Sequence, residues 1–188
     1  MKNFEEIMIE IKSVLMGYKG GKELPHANGT LNWLLKIKPD ADDTAKIAAF
    51  GHDIERALEK RVWIKIDNLV DNFSKYKQDK RIHAEGGAEA IDGILQKWKV
   101  SDEERAMVRN MVANHEDGGN EEADIIRDCD SLSYLSENFD GFLKKYGSNI
   151  AKVKVEEMFG RITEARKKLG LELYNKALEK IEKSQIAP

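Results

Sequence analysis

The strongest constraint on the fold is the repeated spacing of apolar residues by three and four positions. In residues 3–16, for example, Phe4, Ile7, Ile11, Val14 and Leu15 would share one face of a helix. The chain has only 3 prolines and few runs of β-branched residues, so little in it favours strands. We therefore predict an all-α protein.

Further helices are predicted between glycine- and proline-containing breaks. The stretch GYKGGKELP at 17–25 should interrupt the chain, and HANGTLNWLLKIK should form a helix that ends before Pro39. Residues 40–60 open with good N-cap residues, and we predict one buried helix through them, its inner face carrying Ala45, Ala48, Ala49 and His52. Residues 61–79 fit either a short helix or an irregular excursion over a site.

The second half of the chain continues the helical pattern. A helix is predicted over 80–98 despite its Gly86–Gly87 pair, and Ser101 with Glu104 forms a capping-box pattern that should begin the next helix. Another helix is predicted over 121–139, and one or two charged amphipathic helices follow from about residue 149. At 188 residues the chain fits a single domain, 1–188.

Composition narrows the class of protein and partner. The net charge of −3 with dispersed Lys and Arg predicts neither a nucleic-acid polymer nor an anionic membrane as partner. One cysteine, Cys129, excludes an internal disulfide and suits a reducing compartment. No stretch reads as a signal peptide or approaches the roughly 20 apolar residues of a membrane span. We expect a cytoplasmic protein. The sequence favours neither a monomer nor an oligomer.

The four histidines lie beside glycines or near predicted helix ends, where side chains can converge on a small ligand. His52 extends the alanine face and should point inward, with Asp53 directly after it. A neutral imidazole nitrogen beside a carboxylate oxygen suits a divalent ion such as Mn, Fe, Co, Ni or Zn. The pair His52–Asp53 is therefore a candidate metal site.

The order of these residues resembles that of the HD-domain superfamily of metal-dependent phosphohydrolases. The matching residues are His26, His52–Asp53 and Asp130, the last within ADIIRDCDSLSYL. The resemblance covers residues 20–140, which it implies form an HD-type metal-binding core in a helical bundle. Residues 141–188 match nothing in that pattern and would form a C-terminal helical extension.

The resemblance extends to two further histidines. HAEGGAEAI is similar to the family's segment around His83, and VANHEDGG to the turn that carries His115. The order H…HD…H…H…D is shared by the two-metal members, which include HD-GYP-type phosphodiesterases and mixed-valent di-iron oxygenases. It implies one or two divalent ions held by His26, His52, Asp53, His83, His115 and Asp130. Asn114 stands where the HD-GYP group has a second histidine, and the Gly-Tyr-Pro triplet is absent, so cleavage of cyclic dinucleotides is not expected.

Two aspartates compete for the last ligand position. Asp128 and Asp130 are two residues apart and would point to different sides of a helix. The family pattern favours Asp130, whereas a helical wheel centred on Ile125, Cys129 and Leu132 slightly favours Asp128. We assign Asp130 as the ligand and expect Asp128 to support a histidine.

The implied function is a metal-dependent phosphohydrolase acting on a small phosphorylated compound, a nucleotide being one candidate. We expect one or two divalent ions, with Mn, Fe, Co, Ni, Mg and Zn as the candidates. Asp53 would bridge two ions, and Arg56, three residues later, would meet the phosphate. Lys80 and Arg81, just before His83, are further candidates for substrate binding. The same ligand set also fits a mixed-valent di-iron oxygenase, and a third alternative is a non-catalytic HD-type ligand-binding module.

Overall fold

A computed structural model describes residues 1–17 and 19–186. These residues form helices joined by turns, with no strand among them, which confirms the predicted all-α, single-domain fold. The helices are α1 (Phe4–Gly17), α2 (Leu24–Ile37), α3 (Asp43–Gly51), α4 (Asp67–Asp71), α5 (Phe73–Lys97), α6 (Asp102–Ala113), α7 (Glu121–Ser133), α8 (Phe139–Arg161) and α9 (Lys167–Ile186). A 3₁₀ turn covers Ile54–Ala57, and a π-helical turn covers Tyr134–Asn138.

The first helix follows the predicted periodicity. Ile7, Ile11 and Leu15 are fully buried in the main apolar core, and Phe4 and Val14 pack at its edge. Burial of an aliphatic side chain of this size contributes about 1.5–3 kcal/mol, so α1 is held by packing rather than by its own propensity. In the predicted break that follows, Tyr18 lies outside the described residues.

The prediction of one continuous helix through 40–60 is wrong. Asp42 caps α3 by accepting a hydrogen bond from the Ala45 amide at 2.9 Å, but the helix ends at Gly51. Asp53 has φ −99° and ψ 16°, and a 3₁₀ turn follows it. In a regular helix, side chains of consecutive residues diverge by about 100°. The break allows His52 and Asp53 both to be buried, at 0% and 4% exposure.

The helix α5 carries His83 and runs without interruption through Gly86 and Gly87. A Cβ built on Gly87 would lie 2.9 Å from the backbone oxygen of His52. Glycine at this position therefore allows α5 to pack directly against the end of α3. Of the two readings of 61–79, the short helix is present as α4, and α5 begins directly after it at Phe73.

The capping prediction for α6 is confirmed. The hydroxyl of Ser101 accepts a hydrogen bond from the Glu104 amide at 3.3 Å and donates one to the Glu104 carboxylate at 2.8 Å. The helix then delivers His115 to the interior through the turn that follows Ala113.

The two C-terminal helices complete the domain. They form a second apolar cluster with the end of α7 and the π-helical turn, built on Leu132, Leu135, Val155, Met158 and Ile181. Trp33 and Ile37 of α2 pack against both this cluster and the main core. Within the described residues, no helix combines the length and the apolar character that crossing a membrane requires.

Candidate metal centre

Four of the predicted ligands meet in one buried group, which we call the first group. It consists of His26 from α2, His52 and Asp53 from the break after α3, and Asp130 from α7. The Nε2 atom of His26 lies 2.9 Å from Asp130 Oδ1 and 3.3 Å from His52 Nε2. The Asp53 Oδ2 atom lies 3.6 Å from His26 Nε2 and 3.7 Å from His52 Nε2.

The remaining predicted ligands form a second group around the other oxygen of the same aspartate. Asp53 Oδ1 lies 2.7 Å from His83 Nε2 and 3.8 Å from His115 Nε2, and these three ligand atoms lie within 4.8 Å of one another. His83 and His115 are both fully buried. One carboxylate therefore stands between two sets of imidazole nitrogens, one set on each oxygen.

Hydrogen bonds at the far side of each ring orient the histidines. His52 Nδ1 lies 3.0 Å from the Ala49 carbonyl oxygen, and His115 Nδ1 lies 2.7 Å from that of Val112. Because a carbonyl oxygen only accepts, each Nδ1 must be the donor. In a neutral ring, Nε2 then carries a free lone pair.

The other two histidines are oriented in the same way by side chains. His83 Nδ1 lies 2.5 Å from the Glu55 carboxylate. Ser133 donates its hydroxyl hydrogen to the His26 carbonyl at 3.1 Å, so it can accept from His26 Nδ1 at 3.1 Å. A Cβ on Gly29 would lie 2.4 Å from Ser133 Oγ, so this glycine permits the close contact of α2 with α7. All four Nε2 atoms thus face the interior of the cluster, and each offers a lone pair there when its ring is neutral.

The chemistry of this donor set fits a divalent cation. His115 Nε2 is buried and accepts no hydrogen bond in the described structure, and the buried Asp53 Oδ2 has only the ion pair with Arg56 Nε at 3.0 Å. An unsatisfied buried polar atom costs about 1–3 kcal/mol, and a cation in the second group would satisfy His115 Nε2. Imidazole nitrogens with carboxylate oxygens are the ligands that Mn, Fe, Co, Ni and Zn accept.

The concentration of acidic groups shifts the protonation of the cluster. Burial opposes ionisation of Asp53, but Arg56 and the neighbouring histidines hold the pKa of this carboxyl well below its usual range. Burial also disfavours the charged form of His52, but Asp53 and Asp130 outweigh it and raise the pKa of His52 to about 9. Against its burial, Asp53 and Glu55 likewise raise the pKa of His83, so without a bound cation, protons on His52 and His83 balance part of the carboxylate charge.

The predicted substrate-binding cations occupy different places. Arg56 Nε lies 3.0 Å from Asp53 Oδ2, and its side chain is 38% exposed, so it reaches from the cluster to solvent. Lys80 is buried and pairs with the Glu116 carboxylate, next to the second group.

Arg81 does not join them. Its side chain is 63% exposed and pairs through Nε with Asp117 on the surface. The reason is the helical geometry of α5, in which successive side chains diverge by about 100°. The structure therefore brings Lys80, and not Arg81, to the buried cluster.

Three residues around the cluster were missed by the sequence analysis. Glu55 orients His83 and also accepts a hydrogen bond from the Val62 amide. Glu116 Oε1 lies 3.5 Å from His115 Nε2, and Arg161 bridges Glu116 and Asp130 at 3.1 and 3.0 Å. The positions of Glu55 and Glu116 beside predicted ligands were a usable signal. Nothing in the sequence connects Arg161, in the C-terminal extension, with this site.

Asp128 does not support a histidine as expected. It is fully buried and accepts hydrogen bonds from the Thr163 amide at 3.0 Å and from Arg166 at 3.0 Å. It therefore binds the turn between α8 and α9, because that turn packs against the side of α7 opposite Asp130. Asp130 is the aspartate of α7 that lies in the cluster.

Comparison with known proteins places the chain in a family without assigning an activity. Residues 11–183 match the family described as Domain of unknown function (DUF4202). No curated protein and no solved structure matches the chain. The resemblance to HD-domain phosphohydrolases stays a prediction. The match extends over nearly the whole chain, and the protein belongs to the DUF4202 family.

Proposed function

We propose that the protein is a metal-dependent phosphohydrolase that cleaves a phosphoester of a small molecule. The observation that carries the proposal is the position of Asp53, whose two oxygens face two buried groups of histidines with their Nε2 atoms directed inward. His26, His52 and Asp130 would hold one divalent ion with Asp53, and His83 and His115 would hold a second. Bound divalent ions lower the pKa of water and polarise phosphoryl oxygens.

The protein's own residues supply the other requirements of phosphoester cleavage. Transferring phosphoryl groups carry negative charge on their equatorial oxygens, which cations must stabilise. Arg56 touches Asp53 and is partly exposed to solvent, so its guanidinium can bind an arriving phosphate by paired hydrogen bonds. This exposed cation beside the proposed bridging carboxylate supports a phosphorylated substrate.

The first experiment is metal analysis of purified protein and of two variants. We expect up to two divalent ions per chain in the wild type and a large loss in Asp53→Asn, because both groups use that carboxylate. Asp117→Asn is the matched control, since Asp117 is a nearby exposed carboxylate that pairs with Arg81. The proposal would be rejected if the wild-type protein contained no more metal than Asp53→Asn.

The second experiment tests the reaction. Protein reconstituted with Mn, Co, Ni or Mg is assayed for release of inorganic phosphate from a panel of phosphomonoesters and nucleotides. Iron-loaded protein is assayed in parallel for oxygen uptake and for a mixed-valent electron paramagnetic signal. Phosphate release that Asp53→Asn abolishes supports the proposal. Oxygen uptake without phosphate release would assign the alternative oxygenase chemistry to the same ligands.

A further inference from the structure

A cavity of about 760 Å³ lies beside the second group of the metal centre. Its wall is built by α4, the start of α5, the turn after α6 and the end of α8. Small-molecule sites in proteins measure about 300–1,000 Å³, so its volume suits an organic ligand and far exceeds the needs of a phosphate alone.

One end of the cavity reaches the predicted metal ligands through charged residues. The Glu116 carboxylate lies between Lys80 and Arg161, and its other oxygen is 3.5 Å from His115 Nε2. Arg161 also contacts Asp130 at 3.0 Å. Glu157, 3.6 Å from Lys80, is a second carboxylate at this end, so the two cations are paired with carboxylates directly beside the cluster. A phosphate makes the same charge-assisted hydrogen bonds and would compete for these cations.

The rest of the wall mixes charged side chains, among them Lys77, Glu156 and Lys167, with apolar ones. Leu69, Val153 and Ile162 line it, together with Phe73. Phe73 is 45% exposed, and its ring stacks on Tyr76 with centroids 6.2 Å apart and an interplanar angle of 16°. These aliphatic side chains and the aromatic face can stabilise a flat apolar group of a ligand.

We propose that this cavity binds the organic part of the substrate, that its phosphate lies at the Lys80–Arg161 end, and that the organic part contains a flat ring that packs against Phe73 and the neighbouring aliphatic side chains. The inference rests on the proposed phosphohydrolase function and adds to it the class of substrate and the location of its leaving group. It also explains why α8 belongs to the site, since both Arg161 and part of the cavity wall come from this helix.

A glycine of α8 offers a way to fill the cavity without disturbing the fold. Gly160 lines the cavity, and a Cβ at this position would meet no atom within 4 Å. Gly160→Phe should therefore place a ring in the cavity. Gly141 lies in the same helix, is exposed, has equally open space and does not line the cavity. Gly141→Phe is the matched control.

The assay compares 1-naphthyl phosphate with glycerol 2-phosphate in metal-loaded protein. Loss of hydrophobic contacts in a pocket changes kcat/KM by about 10- to 200-fold. We expect the wild type to prefer the naphthyl ester and Gly160→Phe to reduce the ratio of the two kcat/KM values by at least about tenfold, with metal content unchanged. An unchanged ratio in Gly160→Phe, or an equal reduction in Gly141→Phe, would overturn the inference.

A binding measurement separates failure of this inference from failure of the proposed function. Equilibrium dialysis of 1-naphthyl phosphate against the metal-loaded wild type and both variants needs no turnover. Binding that Gly160→Phe abolishes, without phosphate release by the wild type, would keep the cavity as the ligand site and reject the phosphohydrolase. Hydrolysis of both esters with equal naphthyl phosphate binding in all three proteins would keep the phosphohydrolase and reject the cavity.

Discussion

Replacing Glu55 with glutamine should weaken one of the two proposed metal sites and spare the other. Glu55 is buried. One of its carboxylate oxygens accepts the Nδ1 hydrogen of His83, and the other accepts the amide hydrogen of Val62. Glutamine has nearly the same shape but only one acceptor oxygen. If that oxygen stays with Val62, an NH₂ group faces His83 Nδ1. The proton of His83 then moves to Nε2, which removes the lone pair directed at Asp53.

The expected loss of metal affinity follows from the way the histidines of the two groups are oriented. Substituting a carboxylate that orients a ligand histidine typically weakens metal binding by about 10- to 100-fold, or about 1.4–2.8 kcal/mol. The first group should change little, because His26 and His52 are oriented by Ser133 and by the Ala49 carbonyl. The loss should therefore fall on the second group alone.

The assay is equilibrium dialysis against increasing concentrations of free Mn²⁺ or Zn²⁺, with bound metal counted per chain. Wild-type protein should approach two bound ions per chain. Glu55→Gln should bind its second ion only at about 10- to 100-fold higher free metal than the wild type, because His83 has lost its orienting hydrogen bond. Glu89→Gln, at an exposed glutamate of α5, the helix that carries His83, is the control. Equal weakening of both ions, or two ions bound with wild-type affinity, would refute the assignment of Glu55.

Three further predictions concern the aspartates of α7, the packing of α5 and pH. Asp130→Asn should remove metal from the first group. Asp128→Asn should keep the metal but lower the free energy of unfolding by about 3 kcal/mol, because it leaves buried donors without their acceptor. Metal analysis and urea denaturation test both variants, and metal loss in Asp128→Asn would contradict the assignment. Gly87→Ala should lower the free energy of unfolding by about 1–3 kcal/mol, because its Cβ would lie 2.9 Å from a backbone oxygen. Gly93→Ala is the control, because its Cβ would meet open space on the same helix. This control should leave the free energy of unfolding unchanged or raise it by up to about 1 kcal/mol. The raised pKa of His52, about 9 against an ordinary 6.5, gives the metal-free protein stability that is fully present below about pH 6.5 and lost as pH rises to about 9, at most about 3 kcal/mol. Thermal denaturation with chelator should therefore show a Tm that falls across this range, and a Tm that rises there would contradict the assigned proton.

The sequence predicted the helices best where one face is buried and the ends carry polar caps. Ile7, Ile11 and Leu15 follow from periodicity alone, and Ser101 follows from the capping pattern, because both depend on residues that are close in the chain. The helix through 40–60 was mispredicted for the opposite reason. Its end at Gly51 depends on α5, which packs against the His52 carbonyl through Gly87, and such a contact has no local signature.

The choice between Asp128 and Asp130 shows the same limit. Both lie on α7, and both are buried, so a helical wheel gives each a plausible inward direction. The turn between α8 and α9 occupies the side of Asp128 through Thr163 and Arg166. Because of that packing, Asp130 and not Asp128 contacts the histidines.

By itself, the sequence determined the all-α class, the caps and the identity of the histidines and aspartates that could bind metal, because these depend on residue type and on spacing within one helix. The tertiary structure decided which nitrogen of each histidine faces inward and which oxygen of Asp53 serves which group. It also brought Arg161 from the C-terminal extension to Asp130 and formed the cavity beside them. Those features depend on contacts between helices distant in the chain, and on the exclusion of water from the space where their side chains meet.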